Sequence, residues 1–254
     1  MRKLVNKIAT SFFLAMTNEN KMKLEICASS YQSAFNAQNA GADSIELCSE
    51  LSVGGITPSY AVLKKVSKEI NIPVHVLIRP RSGDFCYSDT EFEIMKKDIQ
   101  MCIKLGFNGI VSGVLNPDNT IDIKRTKELI EVSKPLSFTF HRAFDCVMHP
   151  KKALEELMDL KVNRILTSGQ KEKAIDGIAL LKELKIMAQN KLIILPGGGI
   201  NATNVLLFKK AGFKEIHTSA SNTKTNSKVF FDTTPQTVSD PKTIQEILKV
   251  IKNA

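Results

Sequence analysis

From Met22 onward the chain repeats one unit: a short apolar run, a turn, a helix-length amphipathic segment, and a glycine or proline before the next run. The runs expected as strands are residues 23–28, 44–48, 74–78, 109–112, 136–141, 164–167, 192–195 and 215–218. The expected helices between and after them are 31–40, 58–70, 89–105, 123–133, 150–160, 174–189, 201–211 and 241–252. Eight such pairs with mostly short connections predict one closed parallel (β/α)8 barrel of the TIM type, spanning 22–254. An open doubly wound sheet would need a switch point and a dinucleotide fingerprint after the first strand, and neither is present. The one long connection, 219–240, is polar and reads as a lid.

Residues 1–21 stand apart. Arg2, Lys3 and Lys7 precede a brief apolar stretch broken by Thr10 and Ser11, with no small-residue cleavage pattern. They are expected to be an extension outside the fold, or a start placed too early, rather than an export signal. The net charge of +9 comes from scattered lysines, with three tyrosines and no tryptophan, so a nucleic-acid partner is not expected. No apolar run reaches the length of a membrane span. Five irregularly spaced cysteines without a CxxC pair point to a reducing, cytoplasmic setting and away from a disulfide scaffold.

Strand periodicity says what fills the barrel. Strands in a parallel barrel are buried on both faces, so charged residues in them are expected to face the interior. Glu25-Ile26-Cys27 and Glu46-Leu47-Cys48 repeat one pattern on the first two strands, with glutamate and cysteine inward. The same count sends Leu77, Arg79 and Arg81 inward from the third strand, Thr139 and His141 from the fifth, and Glu215 and His217 from the eighth. Function in such barrels collects at the C-terminal mouth, where the later members of each set lie.

Arginine is scarce here beside lysine, yet Arg79 and Arg81 flank Pro80 directly past a strand. Buried salt bridges would explain them, and so would a fork for a carboxylate or phosphate. The loops Ser168-Gly169 and Gly197-Gly198-Gly199 follow the sixth and seventh strands, where backbone N–H groups often cradle an anion. The expected anion site is therefore Arg79, Arg81, Ser168, Gly169, Gly197, Gly198 and Gly199.

The motifs Glu25-Ile-Cys-Ala28, Gly41-Ala-Asp-Ser-Ile-Glu-Leu-Cys-Ser49, Ile78-Arg-Pro-Arg-Ser-Gly-Asp-Phe85, Thr139-Phe-His-Arg-Ala-Phe-Asp145 and Pro196-Gly-Gly-Gly199 occur in order. With Gly54-Gly-Ile-Thr-Pro-Ser59, Arg164-Ile-Leu-Thr-Ser-Gly169 and Glu215-Ile-His-Thr-Ser219, they resemble the CutC family, named for copper homeostasis. The resemblance implies a cytosolic, homo-oligomeric barrel that binds or traffics Cu(I). Cu(I) favours soft thiolates, and Cys27 and Cys48 come from equivalent positions of adjacent strands, which lie about 4.8 Å apart. They are the candidate metal pair, against the alternative that both simply pack. The rival reading is an enzyme on a small anionic substrate. Glu25, Glu46, His141 and Asp145 would then supply acid and base for lyase or isomerase chemistry, since no strand-end lysine offers an imine route.

Overall fold

In the computed structural model, residues 22–225 and 236–253 are described; the expectation for residues 1–21 lies outside them. The strands are β1 (Lys23–Ala28), β2 (Ser44–Leu47), β3 (Val74–Leu77), β4 (Gly109–Ser112), β5 (Ser137–Phe140), β6 (Arg164–Thr167), β7 (Ile193–Pro196) and β8 (Glu215–Thr218). They pair in parallel in the order β7-β6-β5-β4-β3-β2-β1-β8. The remaining seam, between β7 and β8, is joined by a parallel bridge from Gly197 to His217, which closes the ring. The (β/α)8 barrel read from the sequence is the fold.

The period of two sorts the side chains. Leu24, Ile26, Ile45, Leu47 and Val76 face outward into the core beneath the helices. Cys27, Cys48, Leu77 and Val111 face inward and form a separate apolar cluster inside the ring. Registers set the interior heights: Glu25 lies opposite Ser44 and His217, and Cys27 opposite Glu46.

The helices are α1 (Tyr31–Ala40), α2 (Tyr60–Glu69), α3 (Asp89–Lys104), α4 (Ile123–Ser133), α5 (Pro150–Asp159), α6 (Ile178–Ala188), α7 (Val205–Lys210) and α8 (Pro241–Asn253). Helix α3 illustrates the local logic. Ser88 and Glu91 form a reciprocal capping box, and Phe92, Met95, Ile99 and Cys102 recur on one buried face. Helix α7 starts four residues later than the pattern predicts. The Asn201 side chain accepts from Thr203 N–H, and Asn204 accepts from Asn201 N–H, so local turns consume donors that a first helical turn would use.

Of the connection expected as a lid, residues 226–235 lie outside the described residues; the flanking segments pair antiparallel, β9 (Ser221–Thr225) with β10 (Gln236–Ser239). This pair is tied to α1, where Ser33 Oγ accepts from Ser239 N–H and Asn36 donates to the Ser239 carbonyl. No helix among the described residues is long and apolar enough to cross a membrane.

The seam gives a direct test of closure. A Cβ at Gly197 would lie 2.6 Å from Leu166 Cδ1 and 3.3 Å from His217 Cβ. Gly197→Ala is expected to destabilise the protein by about 1–3 kcal/mol through overpacking, read as a lower urea midpoint with unchanged slope. An unchanged midpoint would mean that β7 and β8 are not held against each other.

Candidate functional site

Glu25 is the most heavily bonded side chain of the barrel interior. It is 1% exposed and accepts from Arg164 at 2.8 Å, His75 Nδ1 at 2.9 Å, His217 Nδ1 at 3.1 Å and Ser44 Oγ at 3.2 Å. Burial pushes its carboxyl upward, but Arg164 and the two histidines outweigh this and hold it well below the ordinary carboxylate range. Arg164 also bonds Glu215 at 3.2 Å and Thr139 Oγ1 at 2.9 Å. These contacts fill the lower barrel: Glu25 Oε2 accepts from Arg164, His75 and Ser44, and Oε1 from His217. Its role is to fix His75 and His217.

Above this network, a cavity of about 650 Å³ opens at the C-terminal mouth. Cys27, Glu46 and His217 lie at its floor, and Arg79, Phe85 and His141 at its wall. Cys27 Sγ is 3.8 Å from Cys48 Sγ and 3.7 Å from Glu46 Oε1. Donor atoms of Cys27, Glu46 and His217 all lie within 4.8 Å of one another. Cys48 is fully enclosed behind Cys27, under a loop where a Cβ on Gly55 would press on Leu77 and Cys48. The hydrogen bond with Cys48, together with burial, pushes the Cys27 thiol well above its ordinary range. Burial likewise pushes the Glu46 carboxyl up, and its Oε2 is buried with no partner. Burial lowers the pKa of His217, yet Glu46 and Glu25 outweigh it and raise the value overall.

The other expected residues divide. Arg79 lines the cavity, while Arg81 turns away to Glu91 at 2.6 Å, Asp84 at 3.0 Å and the Cys86 carbonyl. The two guanidiniums therefore do not converge. Strand β3 ends at Leu77, so the alternation that aimed both residues one way does not extend past Pro80. The loop after β6 does embrace an anion, and that anion is Asp145. Its carboxylate accepts from Ser168 N–H and Oγ, Gln170 N–H and Arg142 Nε. Asp145 is thus saturated, and Ser168 and Gly169 do not line the cavity, whereas Gly198 and Gly199 do. Gly197 serves the seam.

Two members of the expected acid–base set retain open valences, Glu46 Oε2 and His141 Nε2. Burial, reinforced by Arg79, pushes His141 down to about 3. In the sequence Arg164 stood out only as the first residue of a motif, and His75 was missed, although His75 sits two residues before Leu77 and obeys the same parity.

Two measurements follow. Glu25→Gln removes the charge that balances buried Arg164 and is expected to cost about 3–5 kcal/mol in urea unfolding; a loss under 1 kcal/mol would contradict the network. His141, depressed from its ordinary 6.5 to about 3, contributes stability that is complete above pH 6.5 and is lost as pH falls toward 3, because the unfolded ring takes up a proton that the folded ring refuses. Its ring-proton signals are accordingly expected to stay constant between pH 8 and 5, and a midpoint near 6.5 would overturn the buried neutral assignment.

Comparison with known proteins gives the family. A model described as the CutC family matches residues 22–222. A relative named as a CutC family protein in Yersinia enterocolitica is 50% identical over 202 residues, covering 79% of this chain and 80% of its own. One in Klebsiella pneumoniae is 49% identical over 197 residues, covering 78% and 79%. The crystal structure of a Streptococcus agalactiae protein described as a copper homeostasis protein CutC is 35% identical, with a TM-score of 0.74 over 78% of this chain and 98% of that one. The chain belongs to the CutC family.

Proposed function

We propose that the protein takes up Cu(I) as cargo at the floor of the cavity, on the thiolates of Cys27 and Cys48 with His217 beside them. The observation that carries this reading is the 3.8 Å separation of two buried sulfurs on adjacent strands, with the imidazole and carboxylate of His217 and Glu46 close to Cys27. Soft sulfur donors favour Cu(I) over hard divalent ions. The copper homeostasis role of the family, by name, agrees with that donor set.

The supporting contacts fit a metal site as well. With its Nδ1 held by Glu25, His217 is left to offer Nε2, the arrangement in which a carboxylate orients a metal-binding imidazole. Arg164 keeps that carboxylate charged. The raised thiol of Cys27 means that the metal must displace a proton on entering.

Competition against a Cu(I) chelator tests the reading. The wild-type protein is expected to hold one Cu(I), and Cys27→Ser and Cys48→Ser each to abolish that stoichiometry while the fold persists. A double variant that still bound one Cu(I) with unchanged affinity would refute it.

A further inference from the structure

We propose that the barrel mouth is a binding site for a small organic carboxylate, held by Arg79 and His141 above the thiol pair. The starting observation is a buried charge without a salt-bridge partner among the described residues; Asp84, which feels its charge, is bonded to Arg81 at 3.0 Å. Arg79 is 5% exposed, and its guanidinium donates to three neutral carbonyls, those of Val53, Gly55 and Gly83, at 2.7–2.9 Å. Among the described residues no carboxylate forms a salt bridge with it. Glu46, on the cavity floor, makes none, and Asp145 on the wall is bound to Arg142 at 2.8 Å. A buried guanidinium left so is costly unless an anion joins it.

Its Nε–H is also buried and makes no hydrogen bond of ordinary length; the Tyr87 hydroxyl, buried and equally unpartnered, is the protein group that interacts with this guanidinium. The three carbonyls occupy three of the five N–H donors that an arginine carries, so the group is positioned by its neighbours and still has donors to offer. Phe85 fixes its plane, with its ring centroid 4.9 Å from the guanidinium carbon.

His141 supplies a second donor. Its Nδ1 accepts from Ala143 N–H at 3.2 Å, which leaves the proton of the neutral ring on Nε2. That Nε2 is likewise buried without a partner. The imidazole rests against the same Phe85, ring centroids 4.8 Å apart, so the two unsatisfied donors flank one aromatic ring in one cavity. Both are donors, and both call for an acceptor.

Charge selects the ligand. One cation without a salt bridge and one neutral donor match a single negative charge, whereas a phosphate dianion would need a further cation, and Arg142 is already neutralised. Leu51, Leu77 and Leu166 contribute apolar wall for the carboxylate's carbon body. A cavity of about 650 Å³ is of the size that small-molecule ligands fill. Arg79 stands two residues beyond Leu77, which packs on the sulfurs, so the carboxylate would sit roughly 7 Å further along the strand direction than the thiol layer. The two sites are separate, and neither reading rests on the other.

The test uses the full chain and a series of acetate, pyruvate, succinate and benzoate, with inorganic phosphate and chloride at matched ionic strength. At least one carboxylate is expected to raise the melting temperature in a concentration-dependent manner and to shift the Arg79 Nε–H resonance, with phosphate and chloride doing neither. Arg79→Lys keeps the charge but loses the planar fork and is expected to weaken binding by roughly tenfold or more. His141→Phe, which leaves Arg79 and its loops in place, is expected to weaken it too and decides the matter if Arg79→Lys does not fold. Cys27→Ser is expected to bind the carboxylate normally, so a failed copper site leaves this result intact. The proposal is overturned if no carboxylate moves the Arg79 signal, if phosphate or chloride acts equally, or if His141→Phe binds with wild-type affinity.

Discussion

The interior of this barrel depends on one buried ion pair, Glu25 with Arg164. Such a pair is seldom a gain over well-packed apolar residues, because both ions lose their water. Here the remaining valences are filled by Ser44, Thr139, Glu215 and two histidines, which is the condition under which a buried pair is tolerated. What the pair provides is orientation. Glu25 reaches from β1 to β2, β3, β6 and β8, so a single carboxylate sets the attitude of His75 and His217. It also keeps negative charge directly beneath the cavity floor, which contributes to the raised thiol of Cys27 and the raised carboxyl of Glu46.

Above that base the cavity has two chemically distinct levels. The floor is soft and proton-rich, with two sulfurs amid Leu77 and Val111. The wall is cationic and donor-rich, with Arg79 and a neutral His141 around Phe85. The metal site and the carboxylate site proposed above therefore share no ligand.

The fold was legible in the repeated strand–helix pairs, and the barrel interior in strand alternation, a period of two set by the backbone. Glu25, Cys27, Glu46, Cys48, Leu77, Glu215 and His217 all face the way their parity demands. Legibility ended where regular backbone ended. Arg81 lies past the end of β3 and is drawn off by Glu91, whose carboxylate also caps α3. Asp145 reads as a free acid in sequence, yet the loop after β6, which reads as an anion cradle, closes on it. Each feature was visible alone, and only three-dimensional proximity reveals that they satisfy each other. The hairpin of β9 and β10 was hidden for another reason: Ser221-Asn-Thr-Lys-Thr225 has no apolar alternation, and its pairing is fixed by contacts to Ser33 and Asn36, about 200 residues away in sequence.

In the proposed copper site, the sulfurs of Cys27 and Cys48 act as one metal-binding pair over the Glu25–Arg164 base. X-ray absorption at the copper edge of the Cu(I)-loaded protein addresses that most directly. Two sulfur scatterers in the first shell of the wild-type protein, absent from the Cys27→Ser, Cys48→Ser protein, is the predicted result. A first shell of nitrogen and oxygen alone, or one unchanged by removing both thiols, would contradict it.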